Sequence, residues 1–458
     1  MFRILTSLDA SVPQGRSRER YRRIGMSAAM SGLALVTSTV VSLILVPISL
    51  QYLGAERYGL WLVVASLGSL LAVADFGIGN GMVNAIARAD GRDDREGARQ
   101  SASTAFLLVT CLALGVGGCF AVLYSLVPWS HVFNVHSTTA VSESGPTALV
   151  LVAVTLVGMP IAIVQRIRFG YQEGFTNGLW LVGGSLASLI AVVSVIQLHA
   201  SLPWIVLAMT IGPVVATALN GVFLFRARRW LSPKRSSVTR SAARRILSAG
   251  ALFFLLQIAI TIAYNSDNFF VAQFFGAQAV AEYSVTLRLF AIAPLLLGVV
   301  LQPLWPAYGE AITRGDIAWA RRTLRRSLLL GLVVVVPLTL VILVLAVPII
   351  HFWVGPDLTP STALLLGCAV WALLSVPGGA FAMFLNGANR LRFQVLTALA
   401  MMSAAIAGKL LLPDLLGSSG VIWADVLAQS IFVTLPTTAY VLWSLPRMES
   451  HRQPGNVP

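Results

Sequence analysis

The chain has 458 residues, 57% of them hydrophobic and 11% charged, with a mean hydropathy of +0.81. That composition excludes a water-soluble enzyme core and makes lipid the expected solvent. Its 32 Lys and Arg against 18 Asp and Glu give a net charge of +14, which leaves nucleic acid, anionic lipid and acidic substrates open as partners until the charges are placed.

A helix crossing ~30 Å of hydrocarbon at ~1.5 Å per residue needs about 20 apolar residues. Twelve runs meet this requirement, at 26–50, 58–80, 102–127, 147–165, 178–197, 203–225, 246–273, 281–304, 327–349, 361–385, 393–413 and 420–443. The predicted fold class is an all-α polytopic membrane protein of about 12 transmembrane helices. The first run is too long for a leader and lacks a cleavage site, so it reads as a retained span.

Alternate polar segments, beginning with residues 1–23, hold 29 of the 32 basic residues, whereas the opposite set holds only Arg57. Cytoplasmic segments carry the basic excess, so both termini are expected inside. Charge spread over seven short segments argues against a nucleic-acid partner.

The chain also repeats at an offset of 222 residues. Arg22-Arg23-Ile24 recurs as Arg244-Arg245-Ile246, Leu53-Gly54-Ala55 as Phe275-Gly276-Ala277, and Asp94 with Arg99 as Asp316 with Arg321. Six crossings separate equivalent points, so two six-helix lobes in a parallel internal repeat are expected. The divisions are 1–225 for the N-terminal lobe, with 1–23 a basic cytoplasmic tail, 226–245 for a cytoplasmic basic linker, read as a solvated tether with an anionic-lipid contact as the second reading, and 246–458 for the C-terminal lobe with its short cytoplasmic tail. Two such lobes suit alternating access around a midplane site.

Ionisable groups inside spans are costly and mark functional candidates. Counting inward from the loops sets Asp267 level with Arg288, and Lys409 level with Asp425, as two interhelical pairs. In the functional reading Arg288 offers its fork of donors to an anionic group. Gln257, Thr261, Tyr264 and Asn268 follow 4-3-4 spacing, a polar stripe on one helix face. Asp75 opens the stretch Asp75-Phe76-Gly77-Ile78-Gly79, where glycines weaken the helix and the carboxylate either caps a break or couples a cation. Arg57 adjoins Glu56 and reads as a local pair. Three cysteines and five histidines show no metal or disulfide spacing.

Leu53-Gly54-Ala55-Glu56-Arg57-Tyr58-Gly59-Leu60-Trp61, followed by Asp75-Phe76-Gly77-Ile78-Gly79, resembles the opening of Wzx-type polysaccharide transporters of the multidrug/oligosaccharidyl-lipid/polysaccharide (MOP) exporter superfamily. The resemblance implies a flippase that moves an undecaprenyl-pyrophosphate-linked oligosaccharide from the cytoplasmic to the periplasmic leaflet for O-antigen, capsule or exopolysaccharide assembly. It implies no cofactor, a coupling ion (H+ or Na+) left open, and membrane lipids and polysaccharide polymerase or assembly proteins as partners. A drug/cation antiporter of the same superfamily is the first alternative. A membrane-embedded polysaccharide polymerase or glycosyltransferase is the second, disfavoured because no long loop carries catalytic groups.

Overall fold

In a computed structural model the described residues, 13–72, 75–133, 135–354 and 358–450, form helices joined by turns, with no strand among them. Arg3 in the expected tail and Arg452 near the chain end lie outside the described residues.

The chain divides into two compact units after Ala251. The first contains α1 (Pro13–Ala72), α2 (Ile78–Gly91), α3 (Arg95–Tyr124), the short α4 (Trp129–Val132), α5 (Thr138–Gly170), α6 (Gly174–Gln197), α7 (Leu202–Ala227) and the opening turns of α8 (Arg240–Asn265). The second continues α8 and adds α9 (Asp267–Phe290), α10 (Ile292–Leu301), α11 (Leu304–Arg314), α12 (Ile317–Trp353), α13 (Thr362–Gly387), α14 (Leu391–Leu411), the short α15 (Pro413–Leu416), α16 (Ser419–Gln429) and α17 (Leu435–Ser450), with a π turn at Ser430–Thr434 before the last.

Eleven stretches of helix among the described residues are long and apolar enough to cross a membrane. Their outward faces confirm the solvent: on α12, Leu329, Val333, Val341 and Val344 are 54% to 76% exposed, an arrangement stable in lipid and untenable in water. The expected crossing at 58–80 is not one helix. It breaks between α1 and α2, where Gly77 adopts φ 73, a conformation that costs little only for glycine.

Close backbone approach seats α2 on the first turns of α8. A methyl on Gly81 would stand 2.6 Å from the Ile246 carbonyl oxygen, and one on Gly250 would stand 3.1 Å from the Gly77 carbonyl carbon. Glycines at 77, 81 and 250, with no side chain to hold the chains apart, are what lets these backbones meet. Around them Met82, Ile86, Ala102, Ile167 and Ile246 form a buried core.

The segment 226–245 differs from the solvated tether expected of it. Leu231 is fully buried, the Lys234 amide donates to Ser103 Oγ at 3.1 Å and the Thr239 amide to Thr104 Oγ1 at 3.4 Å. Apolar and hydroxyl side chains between the basic ones hold it against α3.

Several local devices recur along the chain. Gly54 (φ 75, ψ 168) bends α1 and Gly276 (φ 80, ψ 178) bends α9, in a region of backbone space that is essentially restricted to glycine. Asp93 and Gly315 both take positive φ, each followed by an aspartate that caps a helix: Asp94 accepts the Gly97 amide at 2.8 Å and Asp316 the Trp319 amide at 3.2 Å. In both turns the aspartate's own amide donates to an alanine carbonyl, Ala89 or Ala311, at 2.8 Å.

Candidate functional site

In the second unit α8 ends at Asn265 and α9 begins at Asp267. The interruption leaves the Ala263 carbonyl free to accept a side-chain donor, which Lys409 of α14 supplies. Lys409 Nζ also bonds Asp267, lies 3.4 Å from Ser266 Oγ and stands 2.9 Å from Asp425 of α16. Tyr283 donates to the other Asp267 oxygen at 2.7 Å. The Asp425 oxygens carry no hydrogen bond among the described residues, so that contact is ionic and off the line a hydrogen bond needs. All three charged side chains are buried, Lys409 completely. Removing an ion from water costs several kcal/mol, so the cluster persists only because its members meet.

This corrects the predicted pairing of Asp267 with Arg288. Asp267 and Tyr283 are 16 residues apart, about 24 Å along a straight helix, yet they hydrogen-bond. The chain therefore turns back at Gly276, and residues equidistant from it lie level. Asn268 and Ser284, each eight positions from the bend, meet at 2.9 Å. Arg288 lies twelve positions past it, a full turn farther along, and is exposed. Asp267 thus takes Lys409, the residue expected to serve Asp425 alone.

Beside this cluster the unit encloses a cavity of about 460 Å³ whose lining includes Tyr264, Trp371, Asn386, Gln394 and Gln429. Its lining is mostly apolar, with amides, hydroxyls and aromatic rings set into it and no charged side chain among the described residues. Tyr264 donates to Gln429 Oε1 at 2.8 Å, Gln394 to Asn386 Oδ1 at 3.0 Å, and Gln429 to the Leu374 carbonyl at 3.3 Å. The Tyr264 and Trp371 rings meet edge to face, 6.1 Å apart. Of the expected stripe, Tyr264 alone turns into this cavity, while Gln257, Thr261 and Asn268 are exposed.

In the first unit Asp75 Oδ1 accepts the Gly77 amide at 2.9 Å and Oδ2 the Gly79 amide at 3.4 Å, satisfying two donors that start α2. A cavity of about 310 Å³ lies beside it, lined in part by Asp75, Gly79, Gln165, Arg166 and Thr217. Arg166 donates to Asn80 Oδ1 at 3.1 Å and Gln165 to Thr217 Oγ1 at 2.7 Å. Arg166 lies one residue past the expected run 147–165, which puts it among the 29 basic residues of the polar segments; α5 instead continues to Gly170 and carries it to the cavity wall. The signal lay in Ile163, Val164 and Ile167, which keep helical spacing past the end of the apolar run.

At the other end of this unit Arg57 departs from the local pair expected with Glu56. It forms a two-pronged pair with Glu143, both contacts 2.7 Å, and Glu143 Oε1 also accepts the Leu202 amide at 3.1 Å. Glu56 instead accepts the amides of His136 at 2.6 Å and Ser137 at 3.0 Å. Donors from Ser137, side chain first, and from the His136 amide pull its carboxyl down to about 2. The second unit shows a counterpart, Glu282 accepting the Ser361 amide at 3.3 Å.

The helical fold is shared with transporters of the MOP superfamily. An outward-facing multidrug-resistance MATE transporter superposes with a TM-score of 0.78 at 17% identity, covering 95% of this chain and 97% of that one. The bent form of the Vibrio cholerae MATE transporter VcmN gives 0.79 at 16% identity, covering 95% and 98%. The sequence profile of the family described as "Polysaccharide biosynthesis protein" matches residues 25–312, and the chain belongs to that family. Among similar sequences, a Salmonella typhi protein named as an O-antigen transporter is 21% identical over 426 residues, 92% of this chain and 96% of the relative. A Yersinia pseudotuberculosis protein named for O-antigen export is 20% identical over 376 residues, 80% of this chain and 84% of the relative.

Proposed function

We propose that this multi-pass membrane protein is a flippase, not an enzyme, that moves an oligosaccharide linked to undecaprenyl pyrophosphate from the cytoplasmic to the periplasmic leaflet of the bacterial inner membrane. The two units alternate access to a shared path, and the product passes to polysaccharide polymerase and assembly proteins for O-antigen, capsule or exopolysaccharide. Family membership supports this reading, and so do the names of the Salmonella typhi and Yersinia pseudotuberculosis relatives.

The observation that carries it is the uncharged cavity of the second unit. Sugar hydroxyls are met by amides and hydroxyls, and sugar faces by aromatic rings; Gln394, Asn386, Gln429, Tyr264 and Trp371 supply both. A cationic drug is held best by a carboxylate, and no acid lines this cavity among the described residues. Exposed Arg288 is the candidate for contact with the pyrophosphate.

The test is time-resolved accessibility of a labelled lipid-linked oligosaccharide in proteoliposomes, with a proton and a sodium gradient imposed separately. Protein-dependent flipping that falls at least tenfold in Trp371→Ala supports the reading. No flipping of any lipid-linked oligosaccharide, alongside export of a cationic dye, would overturn it.

A further inference from the structure

The run Arg226-Ala227-Arg228-Arg229 ends α7 and enters the segment docked on α3. Its three arginines are used differently. Arg228 turns inward, pairs with Glu173 and lies 4.7 Å over the Tyr171 ring. Arg226 and Arg229 are exposed and have no acidic partner among the described residues. Both stand at one end of a groove of about 500 Å³ on the first unit, lined by Phe106 of α3, Ile161 and Val164 of α5, and Val222 and Phe225 of α7. Gly221 lets α7 close onto α5 beneath it, since a methyl there would stand 2.9 Å from a Val164 methyl. The Phe106 and Phe225 rings, 6.2 Å apart, form one wall.

The cations are not on a loose tether. Leu231 is buried just beyond Arg229, and Arg95 lies 5.6 Å over the ring of the intervening Trp230. Two uncompensated guanidinium groups are therefore held at the polar end of an apolar trough in a membrane-embedded surface.

We propose that this groove binds an anionic glycerophospholipid, with its phosphate between Arg226 and Arg229 and one acyl chain along Val222 and Phe225. Guanidinium forks match phosphate oxygens, the apolar wall suits a hydrocarbon chain and no free anion, and a net charge of two at the mouth favours a net-anionic headgroup over a zwitterionic one. The lipid would brace α3, α5 and α7 at their basic ends.

The test uses the full chain, delipidated in detergent and titrated with dioleoyl-phosphatidylglycerol or dioleoyl-phosphatidylcholine, with bound lipid counted by native mass spectrometry. The anionic lipid is expected to be retained preferentially. The double substitution Arg226→Ala with Arg229→Ala should weaken its retention roughly 25-fold, taking about fivefold per arginine at an anionic headgroup. Arg240→Ala with Arg244→Ala, exposed positions of the same basic segment outside the groove, should leave it unchanged. Val222→Trp, which fills the trough and spares both cations, should also reduce retention and covers the case in which the arginine variant fails to fold. Equal losses from both arginine doubles, equal retention of the two lipids, or preferential uptake of undecaprenyl pyrophosphate at the groove would overturn the proposal.

Discussion

Lys409 and Asp267, separated by 142 positions in sequence, form an ion pair buried within the second unit, with Asp425 as the third member. Truncating the lysine strands two carboxylates where no water reaches them. Lys409→Met is expected to cost about 3–5 kcal/mol, visible as a lower thermal unfolding midpoint in detergent. Adding Asp267→Asn and Asp425→Asn to that variant should recover most of the loss, because neutral amides need no counter-ion. An unchanged midpoint for the single variant would show that the pair contributes nothing to stability.

Arg288 provides the contrast. It is exposed and without a partner among the described residues, so Arg288→Ala should change unfolding by no more than about 0.5 kcal/mol. Under the proposed pyrophosphate contact the same variant should lose surface polysaccharide while inserting at normal levels. Wild-type polysaccharide from it would remove Arg288 from the substrate path.

Asp75 is engaged by two amides at the start of α2. Asn retains an acceptor oxygen and Ala does not, so Asp75→Asn should keep stability and transport, while Asp75→Ala should cost about 1 kcal/mol. Loss of transport in a stably folded Asn variant would instead assign the carboxylate to cation coupling.

Glu56 gives a pH dependence of definite sign. Its folded value, about 2, lies below the ordinary 4.5, so its contribution is present above pH 4.5 and fades as pH falls toward 2. Protection of the His136 and Ser137 amides, their exchange rates divided by the intrinsic rate at each pH, should fall across that window. Glu56→Gln should flatten the response, and an identical pH profile in that variant would rule out Glu56 as its source.

Gly54 and Gly276 have open space where a side chain would begin, so alanine there meets only backbone strain, of order 1–3 kcal/mol. Gly77→Ala carries a second penalty, because its methyl would run into the Gly250 carbonyl. Thermal unfolding should order the variants with Gly77→Ala clearly below the other two.

The helices were legible because lipid demands long apolar runs, and those runs survive any detail of packing. Gly54 and Gly276 were visible only as matching points of the repeat, since a lone glycine in an apolar run does not by itself announce a bend. The second partner of Lys409 was not legible, since nothing local to residue 409 points to position 267. Depth counting failed for Arg288 because it assumed a gradual loop, whereas the chain turns at one residue. Arg166 was misassigned because apolarity ended before helicity did, and the cavity of the second unit is assembled from α8, α10, α13, α14, α16 and α17, whose individual patterns do not differ from ordinary spans.

The glycine crossing of α2 over α8 has a thermal consequence. In water, packing of this kind draws strength from released solvent and weakens on cooling. Here the contact is backbone on backbone with no apolar side chain between, so the grip comes chiefly from contact distance. Cold should leave the hold of Gly77 and Gly81 on Ile246 and Gly250 intact, and a single added methyl should act as a wedge at every temperature.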